Sequence, residues 1–266
     1  MKVRPWILLT LASVLAAPAM ANDLASITAN NGCPGCDLHL SSLRGLDLDR
    51  ADFAKSTLRE ADMKGVRLAN TSFAEADLRR AELEKSDLSG SDFSAASMRG
   101  ADLEKSTLTG ARFVQSDLRD TDFGESLADE ADFANADMRH SFMRRANLAG
   151  SKLNNANMSN AELERADADG ANFSEANMER ANLSRVSASN ADFTNANLSS
   201  ANLSHGDFTS TRFNGANLDE AHLRSADFSG SDLSGAAGLT QQRLDLACGN
   251  GETKLPDGLE IKTCSD

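Results

Sequence analysis

The chain has 266 residues, 40 acidic and 27 basic side chains, and a formal charge of −13. That balance excludes direct nucleic-acid binding as a leading function, because a phosphate backbone is held by clustered Lys and Arg. A length of 266 residues would ordinarily mean one or two domains. In chain order, residues 1–21 read as a secretory signal peptide: Lys2 and Arg4 make a charged start, and Ile7 to Ala17 is an apolar run too short to span a bilayer. Ala19-Met20-Ala21 offers a small-x-small cleavage pattern, so cleavage is expected after Ala21, leaving no transmembrane segment and a periplasmic or secreted protein. Removal takes the formal charge from −13 to −15 and discards Trp6, the only Trp.

Residues 22–35 are expected to form an N-terminal cap, with Leu24 and Ile27 as one apolar side of a short segment. From Leu38 to Leu233 every fifth residue is a core-type position, and 37 of these 40 are Leu, Phe or Met; the exceptions are Ala128, Ala168 and Ala188. Two residues before each stands Ala, Ser or Thr in 35 of 40 cases, as in Ala51-Asp52-Phe53. A period of five fits neither a helix nor a strand, so the repeat decides the fold. A second period of twenty lies inside it: Phe recurs at 53, 73, 93, 113, 133, 173, 193 and 213, with Leu153 as the substitute. Four pentads per turn would make a square coil, stacking like on like at the inter-strand spacing of ~4.8 Å. All four Pro lie outside the repeat, as a continuous ladder of backbone donors requires.

The pentads Ala76-Asp77-Leu78-Arg79-Arg80 and Ala201-Asn202-Leu203-Ser204-His205 closely resemble the pentapeptide-repeat family pattern A-(D/N)-L-x-x, over roughly residues 36–236. The resemblance implies an all-β solenoid, a right-handed quadrilateral β-helix, here of about ten coils with short caps at both ends. Leu46, Val66 and Val186 are large for the small inward site, while Leu127 and Phe142 stand where Asp or Asn is usual. Residues 237–266 are expected to form a C-terminal capping helix and turn. Thr240 would cap a helix ending at Gly249, with Leu239, Leu244 and Ala247 facing the last coil, and Pro256-Asp257-Gly258 would return Leu259 and Ile261. Caps are needed because the terminal coils of a solenoid expose core and unpaired strand edges.

An exported chain with four cysteines is expected to pair them. The length of the rod separates Cys33 and Cys36 from Cys248 and Cys264, and a disulfide needs Cα atoms within about 7 Å. The pairs are therefore Cys33 with Cys36 and Cys248 with Cys264. No catalytic constellation is visible. The four His (39, 140, 205, 222) lack close metal-type spacing, Gly follows the pentad rather than a phosphate loop, and Asp or Asn fills 25 of the 40 positions before the central residue, where it can bond backbone at corners. The chain reads as a non-enzyme with no cofactor and no metal.

The outward columns are more informative. Arg59, Arg79, Arg99, Arg119 and Arg139 recur every twenty residues and form a candidate interaction stripe, expected to be offset by Asp62, Glu82, Asp102 and Asp122 around the corner. A second basic column runs through Lys85, Lys105, Arg145, Arg165 and Arg185, and Asn157, Asn177, Asn197 and Asn217 make an amide ladder. Leu127 and Phe142 have two readings. Either Leu127 turns inward to replace the bulk missing at Ala128, which is the favoured one, or the two form a small apolar patch for a partner. The function these features favour is a periplasmic structural or protein-interaction scaffold meeting a protein or an anionic glycan, with a homodimer through the C-terminal cap as a further expectation. The alternative comes from the family resemblance: an acidic mimic of DNA that binds a type II topoisomerase, which the signal sequence argues against.

Overall fold

A computed structural model describes residues 24–264; the expected signal peptide and Trp6 lie outside the described residues. Among the described residues, regular secondary structure is confined to two short helices, α1 (Leu24–Ala29) and α2 (Gln241–Leu244). Between them the chain pairs with itself by isolated parallel bridges at a fixed offset of twenty, from Gly32 with Asp52 to Asn217 with Ala237. Where an all-β chain was expected, the described residues carry isolated parallel bridges and no named strand. A turn every five residues leaves only one residue per pentad in bridge geometry.

Each pentad repeats one hydrogen-bond set. The Phe53 and Lys55 amides donate to the Ser72 and Ala74 carbonyls of the next rung at 2.8 and 2.9 Å, and the Ser72 amide donates to Ala51 at 2.9 Å. The corner closes when Ser56 N–H donates to the Phe53 carbonyl at 3.1 Å. The third residue of that turn is left-handed at every fifth position from Leu40 to Gly230, and most of these are not Gly. Such a conformation costs an L-residue about 1–2 kcal/mol. Three inter-rung hydrogen bonds at ~0.5–1.5 kcal/mol each outweigh it, so the corner tolerates Lys, Glu or Arg.

All forty central residues from Leu38 to Leu233 are buried. The Phe column forms two stacks, Phe53 to Phe133 and Phe173 to Phe213, with ring centroids 4.7–5.5 Å apart and planes within 9° of parallel. That separation is the rung spacing itself. Leu46, Val66 and Val186 are also buried, so the small inward site accepts them. Buried hydroxyls at that site bond core carbonyls: Ser91 Oγ donates to Leu68 at 2.8 Å, and Thr121 Oγ1 to Met98 at 3.0 Å.

The inward reading of Leu127 is overturned. Its side chain is exposed, at 49%, while Ala128 keeps the core position. Bulk enters that rung through Phe123, which sits in a Leu and Met column and meets Phe113 and Phe133 edge-on at 5.8 and 5.7 Å. An aromatic ring reaching across the rod removes the reason for Leu127 to turn in.

Both ends are closed by chain outside the regular coils. At the first end Leu24 and Ile27 of α1 line one cleft with Leu40 and Leu43; Ile27 is buried and Leu24 is exposed. Gly32 joins α1 to the first rung at φ +126°, where a Cβ would collide with the Asp52 carbonyl oxygen. At the other end α2 stops at Leu244, short of Gly249, and Thr240 occupies the N-cap position without a side-chain cap bond. Four residues suffice because irregular chain continues the cap: the Ser225, Phe228 and Leu233 amides donate to the Leu246, Cys248 and Lys254 carbonyls at 2.7–2.8 Å. Leu244 and Ala247 are buried, and Leu239, Leu259 and Ile261 pack against the core. Disulfides join Cys33 to Cys36 and Cys248 to Cys264, with Cα atoms 5.6 and 4.8 Å apart.

Candidate interaction site

With every inward position taken by packing, chemistry is left to the outward columns. Asp and Asn before the central residue hold the corner: Asp52, Asp92 and Asp122 each accept the amide N–H two residues on, at 2.8–2.9 Å. This Asx geometry accounts for most of the Asp residues before the central position without assigning them a reaction.

The Arg column builds on the same corner. Arg79 donates to Asp77 through Nε at 2.7 Å and Nη2 at 2.6 Å, and Arg119 does the same to Asp117. Arg139 grips Asp137 at 2.8 and 2.7 Å. The stripe is therefore offset within its own pentads, not by the acidic column around the corner as the sequence suggested. That column has its own cations: Arg44 pairs with Asp62, and Lys64 reaches Glu82 and Glu84 at 3.1 and 2.8 Å. The guanidinium hydrogen bonds hold Asp77 and Asp117 below the usual carboxylate range. Asp102 moves the other way: burial pushes it up, aided by Glu84, Asp122 and Glu104 nearby.

Two members of the stripe lack this partner, because Thr57 and Ser97 replace Asp in their pentads. Arg99 turns to Asp120 of the next rung at 2.9 Å. Arg59 makes no ion pair among the described residues, and its Nε is buried without a hydrogen-bond partner. Beside them lies a cleft of about 500 Å³ lined by Arg59, Glu60, Arg79, Arg80, Arg99 and Asp120, with Gly100 supplying no side chain. Arg79 is held by Asp77, Arg80 lies 3.8 Å from Glu60 and Arg99 is held by Asp120, so among the described residues Arg59 is the arginine of this cleft left without a carboxylate partner. The sequence carried this signal in Thr57 and Ser97, but a reading by columns passes over it.

Phe142 is 44% exposed and borders a second cleft of about 440 Å³, lined also by Asp122, Gly124 and Arg144. Leu127 stands in another column, between Thr107 and Asn147, and does not line the cleft beside Phe142. The structure thus does not join the two into one patch. The Asn column is an amide ladder, with Asn177, Asn197 and Asn217 each donating Nδ2 to the Oδ1 of the Asn one rung before, at 3.0–3.3 Å. Of the second basic column, Lys105 pairs with Glu104 and Arg165 with Glu164. Among the described residues the one close group of possible metal ligands is Asp227, Cys248 and Cys264, and its two cysteines are joined as a disulfide. No helix among the described residues is long and apolar enough to cross a membrane.

Two family models match the chain: one described as a pentapeptide repeat region, over residues 36–113 and 169–237, and one as pentapeptide repeats in eight copies, over residues 106–145, 129–165 and 143–180. Among solved structures, a pentapeptide repeat protein involved in heterocyst differentiation regulation from the cyanobacterium Nostoc is 24% identical, covering 77% of this chain and 95% of its own, with a TM-score of 0.42. A pentapeptide repeat protein from the Arabidopsis thaliana thylakoid lumen is 38% identical over 40% of this chain and 70% of its own, with a TM-score of 0.31. QnrB1, a plasmid-mediated fluoroquinolone resistance protein, is 21% identical over 83% of this chain and 94% of its own, also at 0.31. No curated protein matches.

Proposed function

This chain belongs to the pentapeptide repeat family, and from that premise we propose that it is an exported, non-catalytic rod acting as a structural or protein-interaction scaffold in the periplasm. In this reading the rod is a right-handed quadrilateral β-helix of about ten coils. The observation that carries the proposal is the division of labour within each pentad. The inward positions are spent on one continuous core, and the outward columns differ in charge from face to face. Solenoids of this kind present extended surfaces. Export is supported by the leader-like first 21 residues and by cysteines that are all in disulfides, which persist in oxidising compartments.

Photocross-linking from outward positions in living cells tests the scaffold. The expected result is a discrete adduct from one column and none from its neighbours; no adduct from any of the four columns would refute it. A supercoiling assay with the purified rod addresses the DNA-mimic alternative. No inhibition of a type II topoisomerase is expected, and inhibition at stoichiometric rod would replace the scaffold reading.

A further inference from the structure

We infer that Asn250 is a modification site, where the side-chain amide cyclises onto the Gly251 nitrogen and deamidates, marking the C-terminal cap with age. The inference goes beyond the scaffold reading and does not depend on it. The chain holds three Asn-Gly pairs: Asn31-Gly32, Asn214-Gly215 and Asn250-Gly251. With no Cβ, glycine leaves its own nitrogen unhindered, so these pairs are where an Asn side chain is most open to attack. The fold closes two of them. Gly32 is buried and its N–H donates to the Ile27 carbonyl at 3.0 Å, and Gly215 N–H donates to the Gly235 carbonyl at 3.1 Å. The Gly251 N–H makes no hydrogen bond among the described residues. Asn250 and Gly251 are both exposed, and a Cβ added at Gly251 would meet nothing within 4 Å.

The cap also prepares the electrophile. Asn250 Oδ1 accepts the Gly230 N–H at 2.9 Å and the Glu252 N–H at 3.0 Å. Two donors on a carbonyl oxygen stabilise the negative charge that gathers there as a nucleophile adds to the carbon. The Gly251 nitrogen gives its proton to solvent base and bonds to Asn250 Cγ, closing a five-membered imide ring within one chain. The Cγ–Nδ2 bond breaks, and ammonia leaves with a proton returned by solvent. Water then opens the imide at either carbonyl, leaving aspartate or isoaspartate at position 250. Aspartate keeps the oxygen that the Gly230 amide needs. Isoaspartate adds a methylene to the backbone of the turn in which Thr253 N–H meets the Asn250 carbonyl at 3.1 Å. Lys254 follows at once, bonded to Ser231 at 2.9 Å and to Leu233 at 2.8 Å, so the longer chain disturbs the cap where it covers that face.

The test incubates the mature full-length rod at physiological temperature, at neutral and at mildly alkaline pH, and follows peptide mass, isoaspartate content and released ammonia. Asn250 is expected to convert roughly tenfold faster than Asn31 or Asn214, and faster at the higher pH because base frees the attacking nitrogen. Gly251→Ala, for which there is room, should slow conversion by roughly tenfold, because a Cβ now hinders that nitrogen. In urea the three pairs should convert at similar rates, which assigns the selectivity to the fold. The aged rod should melt earlier than a Gly251→Ala rod aged beside it. Equal rates at the three pairs in the native rod, or earlier conversion at Asn31 or Asn214, overturn the inference. So does an Asn250 that survives in the native rod while converting in urea, or a Gly251→Ala rod that converts as fast as the original. Should that variant melt differently from the start, the ranking of the three pairs in the unaltered rod decides alone. A fully converted rod that melts as late as a fresh one overturns the effect on the cap.

Discussion

Replacing Phe113 by Ala probes the repeat where it is most tightly built. The ring lies fully buried between Phe93 and Phe133, each 4.9 Å away and parallel, with Phe123 edge-on at 5.8 Å. Truncating a buried Phe costs roughly 3–5 kcal/mol. Loss of three ring pairs, each worth about 0.5–1.5 kcal/mol, places this site toward the upper end of that range. The rungs above and below are fixed by backbone ladders, so they cannot close the cavity. Because each coil contacts only its neighbours, the damage should also divide the rod, and the urea transition followed by far-UV circular dichroism should become broader as well as earlier. Asp117→Asn, which breaks the exposed Arg119 pair but keeps an oxygen for the corner, should cost under about 1 kcal/mol. Equal costs for the two variants would refute the five-residue register.

Other substitutions can be measured the same way. Gly238→Ala should destabilise by about 1–3 kcal/mol or more, since φ is +79° and a Cβ would sit 2.5 Å from the Asp219 nitrogen. Gly110→Ala, with open space around it, should lose only about 1 kcal/mol in urea denaturation. Serine at both Cys248 and Cys264 should cost about 3 kcal/mol for a loop of this length, more than serine at Cys33 and Cys36, read as the difference in melting under non-reducing conditions. Asp77 and Asp117 have depressed folded pKa values, so their contribution is present above the ordinary carboxylate pKa and is lost as pH falls through the folded value. Asp102 has the opposite sign. Asp102→Asn should therefore raise the melting temperature at pH 7, by a margin that shrinks as acid protonates the native residue; a lower melting temperature at pH 7 would show that its charge is stabilising.

The rod was legible because its two periods are carried by residues that cannot move. Only large apolar side chains fill the centre, and only small ones fit two places before, so Leu38 to Leu233 announced their burial. The Phe column likewise gave the rung, since identical rings twenty residues apart have to stack. The ion pairing of the Arg stripe was less legible. Columns drawn as flat stripes set Arg79 against the next face, whereas the corner turn folds it back onto Asp77 of its own pentad. Leu127 misled for a related reason: the bulk lacking at Ala128 is supplied by Phe123, whose ring crosses the core from another column. The reach of one ring across a rung is not written in the sequence of either column.

A scaffold role in the periplasm depends most on where this rod resides, and mass spectrometry of the native protein from fractionated cells tests that directly. The expected species is recovered from the exported fraction, begins at Asn22, and carries Cys33–Cys36 and Cys248–Cys264 as closed disulfides. A chain still beginning at Met1 in the cytoplasmic fraction, with four thiols free to alkylate, would contradict it.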